Sequence, residues 1–377
     1  MSIDLSQLWE LDERPGVSFI MPVLNEESRI ERAVQTVLNQ EYLGPKEIVI
    51  GLGPSTDRTA EIAERMARDD ARVHVVHNPA GDTPTSLNLA IAETRYPVII
   101  RVDAHSELPS DYAAIGVDTL RETGAANVGG LMRAVGETPF QKAVARAYMS
   151  PIGLGGPAYH SGAQAGPSES AYLGIFRREV FELLGGFDPT LRRGQDWELN
   201  LRIRAAGGLV WFNPELVVTY WPRADIRSVA QQFYATGKWR AEIVRRHSTR
   251  NSLRYFAPPV LVAGLATAAV GTALQATGAA RRLPSPVRWG IGAAQAGAAS
   301  YAAIVSALAL TAKDADKQER AAFAAAVPTM HIAWGTGFLK GIVTGADHSD
   351  ADRSRTEARG TSPATSTEDR TEEQDRP

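Results

Sequence analysis

The first hundred residues alternate between short apolar runs and amphipathic segments. Apolar runs typical of buried strands occur at "VSFIMPV" (17–23), "KEIVIGL" (46–52), "RVHVVHN" (72–78) and "YPVIIRVD" (96–103). Helical periodicity occupies the intervals "EESRIERAVQTVLNQ" (26–40), "TAEIAERMARD" (59–69) and "PTSLNLAIAET" (84–94). Strands that alternate with helices of this length predict an α/β fold with a central, mostly parallel sheet covered on both faces.

Each predicted strand ends in polar or glycine-rich residues. The strand ends are "PVLNEE", "GLGPSTD" and "DAHSE". In parallel sheets, ligands bind at the carboxyl ends of the strands. We therefore expect these three segments to converge on one cleft.

The hydrophobic pattern changes from about residue 257. Two nearly uncharged stretches, 256–280 and 289–312, are each long enough to span a bilayer as a helix. A third, 321–345, is apolar but contains Pro328, His331 and Lys340. We expect a membrane-associated helical region, and a soluble bundle of alanine-rich helices is the alternative. The topology of the three stretches stays open.

These changes divide the chain into four parts. Residues 1–15 are an N-terminal extension, 16–250 a catalytic domain, 251–345 the membrane-associated helical region, and 346–377 a charged tail expected to be disordered. Basic residues crowd the region before the first apolar stretch, from Lys238 onward. By the positive-inside rule, this places the catalytic domain on the cytoplasmic side of the cell membrane.

Composition excludes several classes of function. Without cysteine, disulfides, thiolate zinc sites and cysteine nucleophiles are ruled out. A net charge of −3 and a pI near 6.2 do not indicate a nucleic-acid-binding protein. The polar N-terminus shows no apolar signal-peptide core, which agrees with a cytoplasmic catalytic domain.

The order of the polar motifs resembles that of a known enzyme family. "PVLNEE", "GPSTDRT", "DAH" and "GQDWELNLRIRAAGG" follow one another as in the family 2 glycosyltransferases. These are inverting enzymes of the GT-A fold that use nucleotide-diphospho-sugars. "YLGIFRREVFELLGGFDPTL" and the C-terminal "MHIAWGTGFLKG" are similar to the succinoglycan-biosynthesis type of membrane-bound transferase, so the resemblance covers about residues 15–345.

The resemblance implies a metal site at Asp103 and His105. Asp103 stands where the family has its metal-binding Asp-x-Asp motif, and His105 replaces the second aspartate. An Asp/His pair suits Mn²⁺ or Mg²⁺ that also binds substrate oxygens, and imidazole favours the softer ion. By itself the triplet is typical of a polar loop after a strand. Arg101, two residues earlier on the same face, assists the diphosphate or forms a structural ion pair.

The resemblance also implies a catalytic base at Asp196. Inversion requires a group that deprotonates the acceptor hydroxyl, and carboxylates at element ends commonly do this. The alternative role is to cap the helix that the sequence predicts from Asp196, and both roles are compatible. Trp197 would raise the pKa of the carboxylate by desolvation or pack on a sugar, and Glu198 is a weaker candidate.

Five further positions, with the proline before them, belong to the donor site by resemblance. Asn25 and Glu26 match the family's nucleotide contacts, and Pro22 fixes the backbone there. The acids with which the family normally recognises the nucleotide base are missing from "GLGPSTD". Base recognition would then depend on backbone groups near Gly53 or on another residue. Asp57 caps the next helix or contacts a substrate, and Asn88 binds the nucleotide or caps local backbone.

A Gly/Ser/Pro-rich segment, 151–170, interrupts the catalytic domain. Its length predicts a lid that would protect the donor from water, with Tyr159 and His160 as mobile contacts. An exposed loop histidine explains His160 equally simply.

The sequence thus predicts a metal-dependent inverting glycosyltransferase of cell-envelope or exopolysaccharide synthesis. Its partners would be a nucleotide-diphospho-sugar donor, a lipid-linked or glycan acceptor, and the membrane. Two alternatives stay open: a nucleotidyltransferase, and a non-catalytic membrane scaffold with a degenerate transferase domain. The first predicts a glycine-rich phosphate loop after the first strand, which "MPVLNEESR" lacks.

Overall fold

The structure is a computed structural model that describes residues 4–6, 8, 10–154, 164–247 and 253–346. The predicted lid contacts Tyr159 and His160, and the predicted disordered tail beyond residue 346, lie outside the described residues.

The first four strands and the first three helices begin and end within a few residues of the predicted positions. The strands are β1 (Val17–Val23), β2 (Lys46–Leu52), β3 (Val73–His77), β4 (Val98–Arg101), β5 (Asn127–Ala134), β6 (Gly166–Pro167), β7 (Ile175–Arg177) and β8 (Val210–Tyr220). The helices of the first part are α1 (Ile30–Leu38), α2 (Thr59–Asp69), α3 (Thr83–Glu93), α4 (Tyr112–Thr123), α5 (Pro139–Met149), α6 (Arg178–Leu184) and α7 (Gln195–Ala205). The later helices are α8 (Ile226–Arg246), α9 (Ala257–Ala276), α10 (Ser285–Thr311) and α11 (Lys317–Thr344).

The strands form one mixed sheet in the order β3-β2-β1-β4-β7-β5-β8-β6. Strands β1 to β4 are mutually parallel, and β5 is parallel to β8. The short β7 is antiparallel to both β4 and β5, so β5 runs in the same direction as β4. The carboxyl ends of six strands therefore lie at one edge of the sheet, as the alternation of strands and helices predicted.

Both faces of the sheet are buried. In β1, Phe19 and Met21 pack into one hydrophobic cluster, and Ile20 packs into another on the opposite face. Alternate residues of a strand point to opposite faces, so an uninterrupted apolar run is what a strand covered on both sides requires. This explains why "VSFIMPV" shows no polar alternation.

Helices α8 and α11 pack together at very short range. A Cβ placed on Gly237 of α8 would lie 2.0 Å from the carbonyl oxygen of Trp334, and one on Gly337 of α11 would lie 2.1 Å from that of Tyr234. Only glycine permits this approach of two backbones. The contact attaches α11 firmly to the rest of the described chain.

Two described helices, α9 and α10, are long and apolar enough to cross a membrane, judged by length and composition alone. Only 17% and 11% of their most apolar windows are buried, whereas the core helix of a soluble protein would be mostly buried. The third apolar stretch belongs to α11, which continues through Pro328 and buries Phe323, Val327 and Met330 against β5, α5 and α8. Among the described helices, α11 is not one of those that are long and apolar enough to cross a membrane.

Candidate active site

Polar side chains from distant parts of the chain meet at the carboxyl edge of the sheet. The turn after β4 carries Asp103 and His105, and α7 brings Asp196 to the same place. The loop after β1 carries Asn25 and Glu26. The structure therefore places the predicted metal and base residues together.

Arg101 connects the two predicted functional carboxylates. Its guanidinium donates to Asp103 Oδ1 from Nη2 at 3.0 Å and from Nε at 3.3 Å, and Nη1 donates to Asp196 Oδ1. The arginine side chain is only 7% exposed. A guanidinium carries several fixed N–H donors, so one buried cation fixes the relative position of both acids.

The two carboxylates are held in different electrostatic environments. For Asp103, burial works to raise the pKa, but Arg101 and His105 outweigh it, and the pKa lies below its ordinary value. For Asp196, burial raises the pKa, and the attraction of Arg101 does not cancel this effect because the Asp103 charge reinforces it. Unequal pKa values in a carboxylate pair are typical of sites that divide ligand binding from proton transfer.

His105 lies beside the residues after β1. Its Nδ1 is 3.3 Å from Glu26 Oε1, and this hydrogen bond, together with the charge of Asp103, raises the pKa of the imidazole above its ordinary value in spite of burial. The contact places Glu26 next to the predicted metal turn. It also fixes the orientation of the imidazole ring.

The donor atoms near this turn fit a divalent cation that shares its ligands with a substrate. Among the described residues, the hydrogen bonds to the Asp103 carboxylate are all on Oδ1, and no cluster of three acidic, histidine or cysteine side chains surrounds it. One carboxylate and one imidazole leave most coordination positions to phosphate oxygens and water, as is usual for Mg²⁺ and Mn²⁺ at nucleotide sites.

The loop after β1 is held by the loop after β2. Asn25 adopts a left-handed conformation (φ 55°), and its Oδ1 accepts from the Thr56 backbone N–H at 2.7 Å. Asp57 accepts from the N–H groups of Thr59 at 3.0 Å and Glu27 at 3.3 Å. The Asp57 carboxylate therefore joins the loop after β1 to the start of α2, just before the Arg58 N-cap, and its predicted substrate contact stays untested.

The other residues predicted to bind the sugar donor, Pro22, Gly53 and Asn88, make backbone contacts that stabilise this region. Pro22 pairs with Gly51 across β1 and β2, and the Gly53 N–H donates to the Val23 carbonyl at 2.8 Å. Asn88 exchanges two hydrogen bonds with the backbone of Phe187, at 2.7 and 2.8 Å. Its amide therefore joins α3 to the segment before α7, and its predicted nucleotide contact stays untested.

Trp197 and Glu198 point into the protein rather than toward Asp103. Trp197 is 5% exposed, donates to the Tyr255 hydroxyl at 2.8 Å, and lies 4.2 Å from the Arg240 guanidinium, measured to the ring centroid. Glu198 is 3% exposed and accepts from Arg202 Nε at 2.9 and 3.0 Å. Both side chains are engaged in packing α7, and their predicted acceptor roles stay untested.

The structure adds Tyr172 to the candidate site. Its pKa is raised well above the ordinary value by burial and by the nearby charge of Asp103. It precedes Leu173, which has a left-handed backbone (φ 45°), and Gly174, whose carbonyl accepts from the Arg101 N–H at 3.1 Å. No periodic pattern marks this tyrosine in the sequence.

Comparisons with known proteins identify the family of the chain. The model of glycosyl transferase family 2 matches residues 18–185. The chain is 34% identical over 241 residues to the succinoglycan biosynthesis protein ExoA of Rhizobium meliloti (strain 1021), an alignment that covers 63% of this chain and 73% of that protein. It is 24% identical over 243 residues to the dolichyl N-acetyl-alpha-D-glucosaminyl phosphate 3-beta-D-2,3-diacetamido-2,3-dideoxy-beta-D-glucuronosyltransferase of Methanococcus voltae, covering 61% and 74%.

One solved structure is similar over nearly the whole chain. The mannosyltransferase PcManGT from Pyrobaculum calidifontis, in complex with GDP-Man and Mn²⁺, superposes with a TM-score of 0.52 at 19% identity. The match covers 90% of this chain and 89% of that protein. At this identity the similarity concerns the fold.

Proposed function

Because the chain belongs to glycosyltransferase family 2 and has the GT-A fold, we propose that it is a metal-dependent inverting enzyme of polysaccharide synthesis. It would transfer a sugar from a nucleotide-diphospho-sugar to a hydroxyl of a lipid-linked or polysaccharide acceptor. The similarity to a succinoglycan biosynthesis protein supports exopolysaccharide or cell-envelope synthesis as the setting.

The observation that carries this proposal is the placement of Asp103 and Asp196 on one guanidinium, that of Arg101. Inverting transfer requires the donor diphosphate and the base to lie on opposite sides of the reacting carbon, and a rigid link between their protein groups serves that requirement. Asp196 would accept the proton of the acceptor hydroxyl. Its raised pKa suits a group that must take up a proton near neutral pH.

Asp103 and His105 would hold the cation, with Glu26 keeping the imidazole in place. A bound Mn²⁺ or Mg²⁺ would supply positive charge against the departing nucleoside diphosphate. The neighbouring Arg101 adds a permanent positive charge to the same region. The structure of the Mn²⁺ complex of PcManGT supports divalent metal use within this fold.

The nucleotide would lie above β1 and β2. Pro22, Asn25 and Gly53 form the edge of that surface, and the Asp57 carboxylate holds the two loops against each other by accepting from the Glu27 N–H. Since the segment "GLGPSTD" has no acid before Pro54, backbone groups near Gly53 would recognise the base. Asn88 would contribute by keeping α3 fixed.

Helices α9 and α10 would anchor the enzyme to the cell membrane with its catalytic region in the cytoplasm. Their apolar surfaces are exposed: Val260 is 68% and Leu310 69% accessible. Exposed apolar surface of this extent on two long helices is costly in water and suits lipid. An anchored enzyme meets a lipid-linked acceptor at a raised effective concentration.

The proposal is tested by donor turnover with a panel of nucleotide sugars, with Mn²⁺, with Mg²⁺ and with a chelator. We expect metal-dependent turnover of one donor, an approximately 100- to 10,000-fold loss in Asp196→Asn, and loss of metal dependence together with activity in Asp103→Ala. Asp118→Asn, at an exposed position of α4, is the matched control and should behave as the wild type.

Full activity in both site variants would show that Asp103 and Asp196 are not the functional carboxylates. Formation of a nucleotide sugar from a sugar phosphate would instead indicate a nucleotidyltransferase. Binding of donors without any turnover would indicate a scaffold. The family membership favours the transferase over both alternatives.

A further inference from the structure

A cleft of about 320 Å³ lies at the carboxyl edge of the sheet beside the turn after β4. Its walls come from the start of α1, from that turn, from the start of α5 and from the residue after β8. The side chains that give it its chemistry are Arg29, Arg32, His105, Glu137, Gln141 and Trp221. Within the described part of the chain, its lining includes neither Asn25 nor Gly53, so it is separate from the proposed nucleotide surface.

The frame of the cleft is built by internal hydrogen bonds. The Gln141 side chain caps α5 by accepting from the Thr138 N–H at 3.2 Å, and it donates to the Pro222 carbonyl at 3.1 Å. On the opposite wall, Arg32 pairs with Glu107 at 2.9 Å. The bond from Gln141 to Pro222 fixes the start of α5 against the end of β8 before any ligand binds.

Three groups of the cleft are left for a ligand. Among the described residues, no ion pair involves Arg29 or Glu137, and no aromatic or cation contact involves the partly exposed Trp221. An indole, a guanidinium and a carboxylate together can contact the apolar face of a sugar ring and both donate to and accept from its hydroxyls. The two carboxylates, Glu107 and Glu137, balance the charges of Arg29 and Arg32, so the arginines give the cleft no excess positive charge that would favour a phosphate.

The cleft adjoins the proposed reaction centre. His105 belongs both to its wall and to the contact with Glu26. Trp221 directly follows Tyr220, which packs against the same hydrophobic cluster as Tyr172. A ligand in the cleft would therefore lie beside the proposed metal turn.

We propose that this cleft is the acceptor subsite and that it binds an uncharged sugar unit of the acceptor glycan, packed on Trp221. The proposal rests on the transferase function proposed above. Its volume is at the small end of the range for ligand sites, which suits one sugar unit rather than an extended chain. Trp197 and Glu198 do not line this cleft, so Trp221 would be the aromatic side chain that contacts the sugar there.

Saturation-transfer NMR tests the subsite on the full chain in a detergent without sugar groups. The probes are the methyl glycosides of glucose, galactose and mannose, with inorganic phosphate as competitor. We expect at least one glycoside to bind the wild type, Trp221→Ala to weaken it about ten-fold or more, and Trp221→Phe to retain most of the signal. Arg68→Gln, on the exposed face of α2, is the control and should bind as the wild type does.

Several results would overturn the subsite. These are no glycoside binding to the wild type, equal binding by Trp221→Ala, or displacement of the glycoside by phosphate. Donor hydrolysis is measured on the same wild-type sample. If the donor is hydrolysed but Trp221→Ala binds the glycoside as well as the wild type does, the subsite alone is overturned. If no donor is hydrolysed, the proposed function is overturned.

Discussion

The guanidinium of Arg101, at the end of β4, contacts the carboxylate of Asp196 in the first turn of α7. The two residues are 95 positions apart in the chain. The same arginine holds Asp103, so a strand end and a helix start are joined through one buried cation. Four predictions follow from this and from other contacts of the structure.

Arg101→Lys should lower kcat with little change in the KM for the donor. A lysine carries one compact ammonium group and cannot hold two carboxylates in the fixed geometry of a guanidinium. A displacement of about 1 Å between reacting groups can reduce turnover about 100-fold. Steady-state kinetics measures the effect, and Arg121→Lys on the surface of α4 is the control. Unchanged kcat in Arg101→Lys would show that the bridge does not position the carboxylates.

Tyr255→Phe should destabilise the protein by about 1–3 kcal/mol. The substitution removes the acceptor of the Trp197 indole N–H, which lies 2.8 Å away in a buried cluster, and leaves a buried donor without a partner. Denaturant unfolding followed by tryptophan fluorescence measures the loss. Tyr234→Phe is the control, because the Tyr234 hydroxyl has no hydrogen bond among the described residues. Equal stability of the two variants would contradict the prediction.

Gly237→Ala should destabilise the contact between α8 and α11. The added Cβ would lie 2.0 Å from the Trp334 carbonyl oxygen, and forcing the helices apart costs about 1–3 kcal/mol or more. Gly290→Ala in α10 is the matched control, because no heavy atom lies within 4 Å of its added Cβ. That substitution should be neutral or stabilising, since alanine favours a helix over glycine. Thermal unfolding in detergent distinguishes the two; destabilisation of equal size would be inconsistent with backbone contact as the cause.

Glu47→Gln should lower the free energy of unfolding at neutral pH, and the loss should be smaller at acidic pH. Burial works to raise the pKa of this 3% exposed carboxyl, but hydrogen bonds from Ser18 and Arg95 outweigh it, and the pKa lies below its ordinary value of 4.5. A lowered pKa in the folded state means that the ionised form stabilises the fold above the ordinary value. This stabilisation is lost as the pH falls through the folded pKa.

The test compares the free energy of unfolding of wild type and Glu47→Gln across that range. Their difference should shrink as the pH falls below the ordinary value. Glu61→Gln, at an exposed position of α2, is the control and should show a small, pH-independent difference. If the difference in free energy of unfolding between wild type and Glu47→Gln stays constant with pH, ionisation of Glu47 does not stabilise the fold.

The sequence by itself determined the elements and their order. The apolar runs predicted β1 to β4 and the helices between them to within a few residues, because a strand buried on both faces and an amphipathic helix leave different periods in the chain. It also predicted that the polar ends of these strands meet at one edge, since parallel strands must place their carboxyl ends together. The resemblance to family 2 glycosyltransferases, now established, came from the same segments.

Only the tertiary structure decided which side chains face which. Trp197 and Glu198 follow Asp196 directly, yet they turn toward Tyr255 and Arg202, because α7 is buried on nearly every side and its packing partners lie far away in the chain. Arg101 likewise bridges two acids that only the folded chain brings together. It lies at the end of β4, which pairs with the antiparallel β7, and α7 brings Asp196 to its guanidinium. Trp221 reaches the cleft because β8 ends beside β5, a register that no local pattern encodes. Periodicity records how buried a residue is, whereas the identity of its neighbour depends on segments that meet only in the folded chain.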